Sequence, residues 1–91
     1  KAIQQEAYRQ IISEKLVARV IKDQNGNEIQ LPEELVIKVW QKDKGRCANC
    51  GSTDKIGVEP IILITEGGAT TIKNLQLLCN TCSVIRSLDK I

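Results

Sequence analysis

Ile3, Ala7, Tyr8, Ile11, Ile12 and Leu16 recur at helical spacing, with Gln, Glu, Arg and Lys between them, and predict an amphipathic helix over 2–16. From Val17 the pattern changes to VARVIK, then DQNGN, then EIQL. Asn25-Gly26 is a two-residue turn signal, because both residues tolerate positive φ, and it predicts a short hairpin with arms near 18–22 and 28–31. Pro32 opens a second helix: proline suits the first helical position, and Glu33 and Glu34 put negative charge at the positive end of the helix dipole. Leu35, Val36, Val39 and Trp40 form its buried stripe, and Gly45 is placed to end it in a left-handed conformation.

Gly51 to Asp54 reads as a polar loop. IGVEPIILIT is strand-like, but Pro60 interrupts it, which predicts an edge or a bend there. Glu66-Gly67-Gly68 is a loop, and Thr70 or Thr71 can cap a short helical turn running into Lys73 and Asn74. Leu75 to Leu78 forms a second short strand. Cys82 to Leu88 forms a last helix, with Val84, Ile85 and Leu88 expected to pack inward. The chain shows no internal repeat, low-complexity segment or long linker. The pattern is α+β, with an extension over 1–31 and a cysteine-bearing domain over 32–91.

Composition explains why cysteines matter. A chain of 91 residues makes one domain near the lower end of what folds without help. Tyr8 and Trp40 are the only large rings, so the core must come from Ile, Leu and Val, and a staple becomes valuable. The net charge of +2, from 13 Lys and Arg against 11 Asp and Glu, forces no conclusion about partners. Lys42, Lys44 and Arg46 surround the approach to the first cysteine pair, with Asp43 the only acid among them, most simply a solvated face. No apolar stretch approaches the roughly 20 residues that span a bilayer. KAIQQEAYRQ lacks the apolar core of a signal peptide, so the expected location is an intracellular, reducing compartment, where paired thiols favour metal over disulfide.

The cysteines read Cys47-Ala48-Asn49-Cys50, then 28 residues, then Cys79-Asn80-Thr81-Cys82. A C-x-x-C turn lets two thiolates converge on one metal, and two such turns complete a tetrahedral four-sulfur site. One structural zinc per chain, held by Cys47, Cys50, Cys79 and Cys82, is the reading; two disulfides, or iron in the same cage, are the alternatives. A closed four-thiolate site leaves no position for water, so its work is architectural rather than catalytic.

With the cysteines in place, VWQKDKGRCANCGS (39–52) and GGATTIKNLQLLCNTC (67–82) resemble the opening helix, loop and two knuckles of zinc-stapled HNH endonucleases. The resemblance covers about residues 31–91. It implies a ββα finger in which an acidic residue or histidine binds a divalent metal. The next histidine activates water against a DNA phosphodiester, an asparagine braces the loop, and a final histidine or asparagine completes the metal site. Here that segment reads Val58-Glu59-Pro60-Ile61. Glu59 matches the acidic ligand, Pro60 stands where the general base belongs, Asn74 matches the brace, and Ser83 occupies the last ligand position. Arg86 matches a basic residue that follows it.

Proline can neither accept nor donate a proton, and the chain holds no histidine, so no catalytic residue is expected. Simpler readings stand beside these matches: Glu59 an exposed strand residue, Ser83 the N-cap region of the last helix, Arg86 a solvated helix residue or a phosphate contact. The resemblance implies an HNH-like domain that binds DNA weakly and without sequence preference, through Lys73, Arg86, Lys42, Lys44 and Arg46. A scaffold subunit in a protein assembly, using the apolar run IILIT, is the rival. A slow nuclease using Glu59 is the weaker third.

Overall fold

The structure, a computed structural model, describes residues 2–88, with side chains from Glu6 onward, so Ile3 lies outside the described side chains. Helix α1 (Ala2–Lys15) and helix α2 (Glu33–Lys42) precede strand β1 (Ile56–Pro60). Two 3₁₀ turns, Ile64–Glu66 and Ile72–Asn74, lead to strand β2 (Leu75–Cys79), and helix α3 (Asn80–Leu88) follows at once. The class is α+β, and β1, β2 and α3 form the ββα finger.

The strands pair antiparallel, with Ile56 opposite Cys79 and Pro60 opposite Leu75. A two-stranded sheet has only edges, which is why it accommodates Pro60. Both edges are covered by other parts of the chain. On β2, Leu77 donates its N–H to Asp43 Oδ2 at 2.9 Å and accepts from Ala48 N–H at 2.7 Å. On β1, the Ile56 carbonyl accepts from Val17 N–H at 2.9 Å, beside a parallel bridge between Leu16 and Ile56. Unpaired strand edges invite association with other chains, and these contacts occupy each edge at one residue, Leu77 on β2 and Ile56 on β1.

One core joins the two halves of the sequence. Ile12 of α1 is buried with Ile37, Val39 and Trp40 of α2 and with Ile56, Val58, Leu75, Leu77 and Leu78 of the sheet. In α1, Tyr8 and Leu16 pack half-buried beside Ile12, whereas Ala7 and Ile11, expected in the same stripe, face solvent. In α2, Val39 and Trp40 are buried as predicted, Leu35 and Val36 only partly, and Ile37 joins the core unanticipated. Pro32 sits one position before the helix, with its carbonyl accepting from Leu35 and Val36 N–H, rather than at the first helical residue. Gly45 is left-handed at φ 66°, and Lys44 shares the conformation at 56°. Gly45 N–H returns to the Trp40 carbonyl at 3.0 Å to end the helix.

The hairpin is smaller than predicted. Its arms meet at one bridge, Lys22 with Glu28, flanked by bonds from Ile29 N–H to the Ile21 carbonyl and from Asp23 N–H to the Asn27 carbonyl, and form no ladder. Gly26 takes positive φ (83°), but Asn25 does not. Asp23 Oδ1 instead accepts from the N–H groups of Asn25 and Asn27 and organises the turn itself.

Helix α3 is turned the other way from expectation. It begins at Asn80, and it directs Cys82, Ser83 and Arg86 inward. Val84, Ile85 and Leu88 are all more than half exposed, so they do not pack inward. Thr71 precedes the second 3₁₀ turn as predicted but makes no side-chain cap bond.

Candidate functional site

The four sulfurs of Cys47, Cys50, Cys79 and Cys82 lie within 4.8 Å of one another and can hold a metal ion. The first knuckle is closed by its backbone: Gly51 N–H reaches the Cys47 carbonyl at 2.9 Å, and Cys47 N–H reaches the Ser52 carbonyl at 2.8 Å. Gly51 needs its positive φ of 81° to make this turn. The second knuckle spans the β2–α3 junction, where Cys82 N–H points at Cys79 Sγ (3.4 Å). Asn49 crosses between the knuckles, its Nδ2 donating to Cys82 Sγ at 3.3 Å. All four thiols are free, three buried and Cys50 exposed.

Their acidities differ. Burial pushes the Cys47 thiol up, but backbone groups of Cys79, Cys50 and Asn49 and the Cys82 thiol outweigh it and lower Cys47 to about 6. Asn49 draws Cys82 down, but the Cys79 thiol, burial and the remaining thiols push it up to about 12. The Ser52 backbone draws Cys50 down, yet the neighbouring Cys79 and Cys47 thiols leave it raised. Cys47 is thus the easiest of these three thiols to ionise, while hydrogen bonding among the thiols and burial raise Cys50 and Cys82.

The groove beside β1 is occupied by an ion-pair cluster. Glu59 is not an exposed strand residue: its side chain is 15% exposed and lies between two arginines. Glu59 Oε2 accepts from Arg19 Nη1 and from the Ser83 hydroxyl, and Oε1 faces Arg86 Nη1 at 3.5 Å. Ser83 therefore serves Glu59 rather than capping the helix. Arg86 is not a solvated residue either: its Nη2 donates to the Ile61 carbonyl at 2.6 Å. A cleft of about 460 Å³ opens alongside, lined by Arg19, Lys22, Glu59, Pro60, Thr65 and Ser83 among others.

Asn74 clamps the loop after β1. Its Oδ1 accepts from Ile62 N–H at 2.8 Å, while Nδ2 donates to the carbonyls of Ile62 (2.9 Å) and Ala69 (2.8 Å). Gly68 lies inside this clamp, where a Cβ would come within 1.9 Å of the Ile62 carbonyl oxygen. The loop leaves Ile61 and Ile62 about half exposed.

The basic residues near the first knuckle divide. Lys42 pairs with Asp43 at 3.0 Å, and Lys44, Arg46 and Lys73 are exposed. Arg19 and Asp43 are the residues that sequence reasoning missed. For Arg19 the one available signal is Gly57, two residues before Glu59: a glycine within a strand marks the close approach of another group. For Asp43, its place among cations suggested a solvated face, whereas its second oxygen binds the backbone of β2.

No curated protein and no solved structure is significantly similar to this chain. The family model described as HNH endonuclease matches residues 47–85, from the first knuckle cysteine into α3. Together with the ββα arrangement and the clustered cysteines, that match identifies residues 47–85 as an HNH-type finger with a four-cysteine candidate metal centre.

Proposed function

We propose that this chain is an HNH-type zinc domain that has lost phosphodiester cleavage and serves as a nucleic-acid-binding module. The observation that carries the loss is the condition of Glu59. Both its oxygens face the chain's own cations or a hydroxyl, and the adjoining Pro60 has no proton to exchange. A general base must stand within about 2.6–3.2 Å of the proton it takes, and its loss commonly removes about 10²–10⁴-fold of rate. The chain holds no histidine to take its place. Supercoiled plasmid should stay intact with Mg²⁺, Mn²⁺ or Ni²⁺. Robust cutting that Glu59→Ala abolishes would overturn this reading.

Zinc is the metal this sulfur set suits. Thiolates about 2.3 Å from a tetrahedral zinc stand about 3.8 Å apart, and Cys50 and Cys79 Sγ are 3.6 Å apart. The four thiolates close the coordination shell, so the ion is structural. A reducing, intracellular setting keeps such thiols available.

The HNH-type finger directs the search for a partner to the nucleic-acid backbone. Lys44, Arg46 and Lys73 supply exposed cations and Lys42 a shared one, while Arg86 is already engaged with Glu59 and Ile61. Contacts of this kind carry charge but no sequence information, so affinity is weak, about 10⁻⁴–10⁻⁶ M at physiological salt, and falls steeply with added salt. A gel shift with the zinc-loaded chain tests it. Lys44→Glu, Arg46→Glu and Lys73→Glu combined should remove the shift and keep the metal. No shift at low salt would reject it.

The second reading, an interaction subunit of a protein assembly, rests on Ile61 and Ile62, which are 48% and 55% exposed. If nucleic acid fails to bind, Ile61→Ser with Ile62→Ser is the pair to test against proteins that co-purify.

A further inference from the structure

Arg19 comes from the stretch between the first two helices, yet its guanidinium rests on three oxygens of the finger region. These are Glu59 Oε2, the Lys55 carbonyl (3.1 Å) and Asn80 Oδ1 (3.3 Å). The Ser83 hydroxyl bonds the same Glu59 oxygen. The route is shaped for this side chain: a Cβ on Gly57 would stand 2.6 Å from Arg19 Cγ. Lys55, in the turn that presents its carbonyl, takes a left-handed φ of 49°, which is uncommon for a residue other than glycine. Arg19 is left only 12% exposed.

The geometry points to a cation supplied by the chain itself: Arg19 fills an oxygen-lined site made by Glu59, Asn80, Ser83 and the Lys55 carbonyl, and while seated it keeps divalent ions off Glu59. The donors are a carboxylate, an amide oxygen, a hydroxyl and a carbonyl, the hard set that suits Mg²⁺, Mn²⁺ or Ca²⁺. The guanidinium reaches three of these oxygens at once, those of Glu59, Lys55 and Asn80, while the Ser83 hydroxyl bonds Glu59 beside it. The inference holds whether or not the finger meets nucleic acid.

The test uses the full, zinc-loaded chain and counts bound Mn²⁺ by the loss of its free-ion EPR signal. The unaltered chain should take up none. Arg19→Ala and Arg19→Gln should each bind one Mn²⁺ with a Kd of about 10⁻⁴–10⁻³ M, the weak end of oxygen-ligated sites. Adding Glu59→Gln to Arg19→Ala should remove that uptake. Guanidinium ion should compete with Mn²⁺ in Arg19→Ala and raise its melting temperature by refilling the void. A folded Arg19→Ala that binds no Mn²⁺ overturns the proposal, and so does equal uptake by the unaltered chain. Should neither neutral variant fold, Arg19→Lys decides. Its single ammonium cannot span the oxygens as the fork does, so it must bind Mn²⁺ more tightly than the unaltered chain, and equal affinities overturn the proposal.

Discussion

Asn74 and Arg19 each hold distant backbone in place, but only one of them could be found in the sequence. Asn74 makes three hydrogen bonds to the loop that follows β1. At about 0.5–1.5 kcal/mol net for each bond, Asn74→Ala should cost about 1.5–4.5 kcal/mol, read as a shift of the urea midpoint at unchanged slope. Asn74→Asp keeps the acceptor for Ile62 N–H but turns a carboxylate toward two carbonyl oxygens. It should therefore be at least as damaging at neutral pH and recover partly in acid, where a protonated carboxyl can donate again. Asn74 was legible because the runs on either side of it carry a family pattern. Arg19 was not, since the partner of a half-buried acid is chosen by the fold, and 13 cations compete for the role in sequence. Gly45→Ala tests a third single position. Its Cβ would meet Trp40 Cζ2 at 2.9 Å on a backbone already at φ 66°, and a loss of about 1–3 kcal/mol should follow.

Among the elements, α3 shows where hydrophobic periodicity misleads. Val84, Ile85 and Leu88 form a stripe that resembles a core face, yet the knuckle sets the helix phase. Cys79 closes β2 and Cys82 must face the same sulfur cluster, which carries Ser83 and Arg86 inward with it and leaves the apolar stripe outside. Val84→Ser and Leu88→Gln should consequently change stability by no more than about 0.5 kcal/mol. Inward packing would have made such truncations cost about 2–5 kcal/mol. The three helices and the second strand otherwise emerged within a residue or two, because Pro32, Gly45 and the two knuckles punctuate them, whereas the strand-like run over 56–65 stops at Pro60 and gives way to a 3₁₀ turn at Ile64–Glu66. The hairpin failed as a ladder because its turn is organised by the Asp23 side chain, which needs no paired arms. The knuckles also carry a pH signature. At pH 7, above the value of about 6 for Cys47 and below the raised values of Cys50 and Cys82, metal uptake must expel protons from those two thiols. Apparent affinity should rise with pH, and its slope should steepen below about pH 6, where Cys47 must also lose a proton. Competition titrations across pH 5–8, a window set about that value, would check the sign.

At the scale of the whole molecule, the four-cysteine candidate metal centre and the N-terminal helix are joined through one small core. Ile12 packs in the same cluster as Trp40, Leu77 and Cys82, and Val17 and Arg19 are bonded to β1. Native domains are stable by only about 5–15 kcal/mol in all, whereas structural zinc in small peptides contributes an apparent ~10–16 kcal/mol near neutral pH. Removing the metal should therefore abolish cooperative folding everywhere at once, not only in the finger. Trp40 fluorescence, which reports on α2 beside the sheet, and far-UV circular dichroism, to which α1 contributes heavily, should lose their transitions together under a strong chelator. In the metal-loaded chain both probes should give a single coincident melt. Cys50→Ser should reproduce the chelated state, and because Cys50 is exposed, the damage cannot be assigned to a lost core contact. Two separate transitions would mean that residues 1–31 fold as a unit of their own. An unchanged melt after verified metal removal would mean that the covered sheet edges and the Arg19–Glu59–Arg86 cluster hold the molecule without a staple.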